Sequence, residues 1–273
     1  MVAAMPSLTR TVRFAVNPPQ VREGPWLTGP NGYAGTPSMR GLGRHYEIAV
    51  TCSGPIDTST GYLINIKTID QAVRCAAVPV ITRASDERAE IAPEELLPEL
   101  VRALEPELPR ILRVVRLSMS PYYCVEMSVA DRSRALLRQK FDFAASHRLH
   151  VASLTDAQNR ELFGKCNNPG GHGHNYHFEP CVEVPLGPGR RPFTLDQLER
   201  ICEREIIARF DHKNLNCDTE EFGPESGVNP SVEEIARVFF ERLAPAIRSE
   251  CPDATLRAVT VWETDRTSST YPE

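Results

Sequence analysis

Three histidines in the second half of the chain have the spacing of a metal-binding set. His172 and His174 are separated by one glycine in a segment that alternates as a β-strand does, so both imidazoles should face the same side. His147 ends a second predicted strand, 140–146, and completes a facial set of three nitrogens. Three histidine ligands with an open fourth position are typical of a catalytic zinc ion. A His-x-His pair alone is weak evidence, because most such pairs are hydrogen-bonded surface histidines.

Four motifs occur in the same half of the chain: ASHRL (145–149), LFGKCNNPGGHGHNY (162–176), FDHKNLN (210–216) and VWETD (261–265). In this order they closely resemble the 6-pyruvoyl-tetrahydropterin synthase family and its relative, 6-carboxy-tetrahydropterin synthase. The resemblance covers roughly residues 138–271. The spacing within CNNPGGHGH is more similar to that of the pyruvoyl enzymes than to the shorter spacing usual in the carboxy enzymes.

The resemblance implies a tunnelling fold, in which the sheets of several subunits close into a barrel with active sites at subunit boundaries. It implies one Zn2+ ion on His147, His172 and His174, and 7,8-dihydroneopterin triphosphate as the pterin substrate. It also implies a homo-oligomer, for which a trimer of tandem chains is expected. Zinc bound to the side-chain oxygens of such a substrate acts as a Lewis acid, which makes removal of a proton from a neighbouring carbon feasible.

The resemblance further implies that Cys166 is the catalytic base, assisted by Asp211 and His212, and that Glu263 anchors the pterin ring. Zinc and nearby cationic groups favour a thiolate at Cys166. Asp211 can orient the adjacent imidazole for proton transfer only if the chain turns there. The two oxygens of Glu263 match two parallel N–H donors of a pterin edge. Each residue also has a structural alternative. Cys166 could be a cysteine packed in a loop, and Asp211 could cap a turn beside a surface histidine. Glu263 could be a solvated glutamate at a strand end.

One departure from the family pattern concerns the pterin pocket. Many relatives carry Thr-Thr or Pro-Thr-Ala before a helix glutamate, whereas this chain has Ser231, Val232 and Glu233. The hydroxyl of Ser231 preserves one substrate contact, but Val232 has no hydrogen-bonding side chain. Substrate choice is therefore less closely defined by the sequence than the metal site is.

Three functions remain open from the sequence. The first is a lyase of the pyruvoyl type, which expels triphosphate in tetrahydrobiopterin biosynthesis. The second is a carboxy-type synthase of the queuosine and deazapurine pathway. The third is a non-catalytic protein that binds a pterin or a metal and assists assembly, and the intact Cys166, Asp211 and His212 argue against it.

Hydrophobic patterning predicts an α+β fold of two similar units, each with the order β-β-α-α-β-β, an antiparallel sheet and helices on one face. The resemblance implies that these are tandem tunnelling-fold units. In the first unit, strands are expected at 11–16, 45–52, 62–67, 111–119 and 122–129, and helices at 68–78 and 94–108. In the second unit, strands are expected at 140–146, 174–184 and 256–263 and before Tyr271, and helices at 194–210 and 231–247.

The two halves also match residue by residue, since GLGRHY (41–46) aligns with GHGHNY (171–176). This internal repeat divides the chain into residues 1–133 and 134–273. The first half has non-ligating residues where the second has the three histidines: Pro18, Leu42 and Arg44. We therefore expect a degenerate N-terminal domain without a metal site and a catalytic C-terminal domain.

Composition excludes several other classes of protein. A net charge of −5 argues against general binding to nucleic acid or to an anionic membrane. No apolar run has the length of a membrane span, and the first residues lack the pattern of a signal peptide. The eight cysteines include no Cys-x-x-Cys pair and are expected as free thiols. The expected location is the cytoplasm, and the expected partner is a small molecule.

Overall fold

The computed structural model describes residues 5–22, 33–187, 193–224 and 227–272. The chain divides into two compact units, of which the first comprises Met1–Leu137 with Pro185–Arg190 and the second Arg138–Val184 with Arg191–Glu273. Each unit combines a mainly antiparallel sheet with helices, so the mixed α+β class predicted from the sequence is confirmed. No helix among the described residues is long and apolar enough to cross a membrane.

In the described part of the first unit, the strand order is β1-β2-β3-β4-β5, and β5 extends two residues into the second unit. The strands are β1 (Ser7–Val16), β2 (Arg44–Ser53), β3 (Leu112–Ser118), β4 (Tyr123–Ser128) and β5 (Asp131–Gln139). Strands β1 and β2 pair antiparallel, with Phe14 opposite Tyr46. Alternate residues of β1, among them Val12 and Phe14, are fully buried because one face of the sheet covers the core.

The helices of the first unit correct one prediction from the sequence. They are α1 (Ile66–Ala72), a π-helical turn (Val73–Ala77), α2 (Val78–Glu87) and α3 (Pro93–Leu104). The predicted strand at 62–67 is wrong, because residues 62–65 form no strand and α1 begins at Ile66. The side chain of Asn65 accepts a hydrogen bond from the amide of Lys67 and so caps α1, which stabilises a helix start where apolar residues alone suggested a strand.

Among the residues of the second unit that the structure describes, the strands follow the order β10-β9-β7-β6-β8. They are β6 (Phe141–His147), β7 (His172–Pro185), β8 (Lys213–Asn214), β9 (Thr255–Thr264) and β10 (Thr267–Tyr271). Its helices are α4 (Asp156–Phe163), a 3-10 turn (Gly164–Asn167), α5 (Leu195–Cys202), a π-helical turn (Glu203–Ile207), α6 (Ala208–Phe210), α7 (Leu215–Asp218) and α8 (Val232–Glu250). The pairing of β6 with β8 is parallel, whereas the other pairings of this sheet are antiparallel.

Helix α8 packs its apolar face against the second sheet. Its buried residues recur at helical spacing and include Ile235, Phe239 and Leu243. The ring of Phe239 lies 5.4 Å from that of Phe143 on β6 and 5.4 Å from that of Phe178 on β7. This aromatic cluster fixes the two strands that carry the histidines.

Candidate metal centre

The pairing of β6 with β7 brings the three predicted histidine ligands together. His147 lies directly opposite His172 in the antiparallel register. His174 is two residues further along β7 and therefore faces the same side as His172. The ring centroid of His147 is 4.5 Å from that of His172 and 5.2 Å from that of His174.

Strand β9 adds a fourth group, Glu263, to the three histidines. Its Oε1 lies 3.2 Å from Nε2 of His147 and 3.3 Å from Nε2 of His174. One possible ligand atom from each of the four residues lies within 4.8 Å of the other three. The resemblance to the family implies that Glu263 binds the pterin, and in this structure its carboxylate lies among the imidazoles. Strand pairing between β7 and β9 determines this position, and the sequence alone did not indicate it.

The chemistry of this four-residue cluster suits a cation. Burial lowers the pKa of His172 and of His174, which favours the neutral imidazoles that bind metal ions. A hydrogen bond with His147 lowers the pKa of Glu263, which favours its carboxylate. Nε2 of His172 lies 3.1 Å from Nε2 of His147, and Nε2 of His174 is buried and makes no hydrogen bond with any described residue. A metal ion fits these neutral nitrogens, and the negative charge of the nearby carboxylate favours a cation there.

Cys166 lies in the 3-10 turn Gly164–Asn167. A backbone hydrogen bond joins this turn to the segment that follows His147. The carbonyl oxygen of Cys166 accepts a hydrogen bond of 2.9 Å from the amide of Leu149. Burial, with smaller contributions from Glu263 and Cys166, raises the pKa of the Tyr176 phenol. The side chain of Cys166 is half-buried.

Asp211 and His212 form the turn that their proposed chemistry requires. Nδ1 of His212 donates a hydrogen bond of 2.7 Å to Oδ2 of Asp211. Oδ1 of Asp211 accepts a hydrogen bond of 2.8 Å from the amide of Ala144, which is the largest cause of the lowered pKa of Asp211. His212 has a φ of +56°, and its side chain is 82% exposed. It lies outside the four-residue cluster, but it lines a cleft of about 440 Å³ together with His174.

Ser231 caps helix α8. Its hydroxyl accepts a hydrogen bond of 3.4 Å from the amide of Glu234. The preceding residue, Pro230, offers its carbonyl oxygen to Nδ1 of His147. Ser231, which was predicted to contact the pterin, therefore caps the start of a helix in this structure.

Sequence reasoning missed a set of asparagines that hold the segment after His147. Asn216 accepts a hydrogen bond from the amide of Arg148 and donates one to its carbonyl oxygen, at 2.7 and 3.0 Å. Asn229 accepts a hydrogen bond of 3.0 Å from the amide of His150. Asn167 donates a hydrogen bond of 2.7 Å to the carbonyl oxygen of Leu149. The asparagines within the motifs FDHKNLN and CNNPGG were the sequence features that could have indicated these hydrogen bonds.

Comparison with known proteins places the second half of the chain among the pterin synthases. Residues 136–273 match the family model described as 6-pyruvoyl tetrahydropterin synthase. The human 6-pyruvoyl tetrahydrobiopterin synthase is 36% identical over 141 residues, which are 51% of this chain and 92% of the human one. The Drosophila melanogaster protein of the same name is 46% identical over 91 residues, which are 32% of this chain and 53% of that protein. The solved structure of Caenorhabditis elegans 6-pyruvoyl tetrahydropterin synthase is 33% identical in sequence and has a TM-score of 0.44. The match covers 50% of this chain and 94% of the C. elegans chain.

Proposed function

The chain belongs to the 6-pyruvoyl tetrahydropterin synthase family, and we propose that residues 134–273 form a zinc-dependent catalytic domain of this type. The proposed substrate is 7,8-dihydroneopterin triphosphate. The proposed reaction is that of a carbon–oxygen lyase, which eliminates triphosphate in tetrahydrobiopterin biosynthesis. The observation that supports it most directly is the convergence of His147, His172, His174 and Glu263 on one point.

In the proposed mechanism His147, His172 and His174 hold Zn2+. When bound, zinc supplies Lewis acidity that stabilises negative charge developing on the side-chain oxygens of the substrate. Its ligands are oriented in advance, because Nδ1 of His147 is engaged by the carbonyl oxygen of Pro230 and Nε2 is left for the cluster.

The proposed proton transfers belong to Cys166 and to the pair formed by Asp211 and His212. Cys166 removes a proton from a side-chain carbon of the substrate as a thiolate. His212 passes a proton between substrate positions, and the hydrogen bond from its Nδ1 to Asp211 leaves Nε2 for this exchange. Glu263 accepts N–H donors of the pterin ring, which requires a carboxylate, and its lowered pKa supports that form.

We propose that the active site is completed between chains of a homo-oligomer, with a trimer expected. Strand β8, next to His212, ends the strand order of the second sheet, and such an edge favours pairing with a neighbour. The imidazole of His212 is largely exposed in the single chain and is therefore accessible to another subunit. Cys166 of one chain would then act with Asp211 and His212 of another.

Residues 1–133 are proposed to be a degenerate tunnelling-fold unit that contributes to the assembly without catalysing a reaction. Among the residues that the structure describes, the only group of possible metal ligands is the one in the second unit. In the first unit the position matching His172 is Leu42, which is exposed and cannot bind a metal.

The experiment that tests the proposed function is an assay of the purified chain with dihydroneopterin triphosphate, followed by mass spectrometry of the product. A 6-pyruvoyl product with free triphosphate is expected. A 6-carboxy product would assign the chain to the alternative synthase instead. An unchanged substrate, with zinc bound and the chain assembled, would leave only the non-catalytic role.

A further inference from the structure

A basic cavity lies beside the loop that carries Cys166. Its volume is about 310 Å³, which is at the lower end of the range for small-molecule sites. Three cationic side chains line it, those of Arg148, Arg160 and Lys165, together with one acidic side chain, that of Asp156. The remaining wall is formed by neutral residues of the same loop, so the cavity has an excess of positive charge.

The positive charge of this basic cavity is offset only in part by the carboxylate of Asp156. Among the described residues, no carboxylate lies within ion-pair distance of Arg148, Arg160 or Lys165. Asp156 is exposed and one helical turn from Arg160 on α4, yet the two side chains form no ion pair. Other arginines of the second unit do pair, as Arg237 does with Glu234 and Glu241. Unpaired cations around a concave surface attract an anion.

Arg148 is held in place before any ligand binds. Its Nε donates a hydrogen bond of 3.1 Å to the carbonyl oxygen of Asn167, and its Nη2 donates one of 3.3 Å to Oδ1 of the same residue. Asn167 is only 4% exposed and is bonded in turn to Leu149. Nη1 of Arg148 makes no hydrogen bond with a described residue. A planar guanidinium group fixed in this way can donate its remaining N–H groups to two oxygens of a phosphate.

The basic cavity and the metal centre share two short segments of chain. Arg148 directly follows the ligand His147, and Lys165 directly precedes Cys166. We propose that the basic cavity binds the phosphate chain of the substrate, so that the remainder of the molecule is held beside Cys166. This inference rests on the proposed function insofar as it names a pterin triphosphate, and it adds the residues that recognise the triphosphate.

Arg160 is the residue best suited to test the proposal. It is exposed on α4, forms no ion pair with a described residue and belongs to neither the metal cluster nor the proton-transfer groups. Arg248, which is exposed in the last turn of α8 and outside the cavity, provides a control with the same loss of charge. Binding of inorganic tripolyphosphate to the full chain would be measured by calorimetry for wild type, Arg160→Gln, Arg160→Lys and Arg248→Gln.

We expect Arg160→Gln to weaken tripolyphosphate binding on the order of tenfold, since one charge-assisted contact is lost. Arg160→Lys should recover part of the affinity, Arg248→Gln should match wild type, and added salt should weaken binding. Tripolyphosphate should also raise KM for dihydroneopterin triphosphate without lowering kcat. Equal affinities of wild type and Arg160→Gln would overturn the proposal, as would inhibition that lowers kcat and leaves KM unchanged.

The outcomes separate this inference from the proposed function. Binding of tripolyphosphate that depends on Arg160, in a chain that does not turn over the pterin, would contradict the proposed function and leave the phosphate site standing. Normal turnover with an unchanged KM in Arg160→Gln would contradict the phosphate site and leave the proposed function standing.

Discussion

His147 is joined to Pro230, 83 residues further along the chain, by a hydrogen bond of 2.7 Å from Nδ1 to the carbonyl oxygen. The bond determines which ring nitrogen faces His172, His174 and Glu263. Pro230 directly precedes α8, whose first turn is capped by Ser231. The position of the candidate metal ligand therefore depends on the start of the helix that packs against the sheet.

The first prediction is one zinc ion per chain, since the described part of the first unit contains no group of possible ligands. His174→Ala should lose the ion and keep most of the fold, because the cluster orders a pocket rather than the core. His177→Ala, on the same strand but outside the cluster, is the control and should retain zinc. Metal analysis that finds two tightly bound ions per chain would contradict the prediction.

The second prediction concerns the base. Cys166→Ala should bind zinc and pterin normally but lose activity by about 100- to 10,000-fold, as expected for a positioned acid–base group. Single-turnover kinetics together with metal analysis would measure this separation. Near-normal turnover would show that Cys166 is a packing residue.

The third prediction concerns assembly. Mixing inactive Cys166→Ala chains with inactive His212→Ala chains should restore part of the activity, because some subunit boundaries would then combine an intact cysteine with an intact histidine. The control is each variant exchanged with itself, which should stay inactive. A lack of recovery after verified subunit exchange would argue against a shared site.

The fourth prediction concerns Asn216, which bonds to both the amide and the carbonyl group of Arg148. Asn216→Ala leaves two partly buried backbone groups unpaired and should destabilise the chain by about 1–3 kcal/mol. Because Arg148 follows His147, zinc affinity should fall as well. Urea unfolding would measure the loss of stability, and competition with a zinc chelator would measure the loss of zinc affinity. An unchanged zinc affinity would show that the hydrogen bonds of Asn216 to Arg148 do not position His147.

The fifth prediction is a pH dependence of stability in the first unit. Burial raises the pKa of Glu94 from 4.5 to about 7, and one of its oxygens has no hydrogen-bond partner among the described residues. The folded state therefore binds this proton more tightly than the unfolded state does. Stability should fall as the pH rises from about 4.5 to about 7, by about 3 kcal/mol, and stay lowered above that range.

Glu94→Gln should remove this pH dependence, because the amide keeps the shape of the side chain and carries no charge. Glu107, an exposed glutamate of the same unit, provides the matched control Glu107→Gln. Urea unfolding at pH 5 and pH 8 would test it. The same slope in Glu94→Gln and wild type would assign the dependence to another group.

The sequence predicted the elements with strong apolar periodicity, and it failed where polar groups determine the structure. Strands β6, β7 and β9 and helix α8 follow from their patterns of buried residues. Helix α4 was not predicted, because most of its residues are exposed and its start depends on a capping box between Thr155 and Gln158.

The candidate site was predictable to the extent that its residues lie in local motifs. His172 and His174 share a face through strand geometry alone, so their proximity follows from their spacing. The contact of Glu263 with His147 depends on the order of three strands, which no local pattern specifies. The asparagine contacts to Arg148 and His150 span 68 and 79 residues and were likewise beyond sequence reasoning.

The left-handed backbone of His212 has a consequence for any attempt to engineer this chain. A residue with a Cβ atom held at positive φ costs about 1–2 kcal/mol, whereas glycine adopts that conformation freely. Optimising the chain for thermal resistance alone would therefore select glycine at position 212. The more stable chain would lack the imidazole that faces Asp211, so at this residue stability and the proposed activity are in direct opposition.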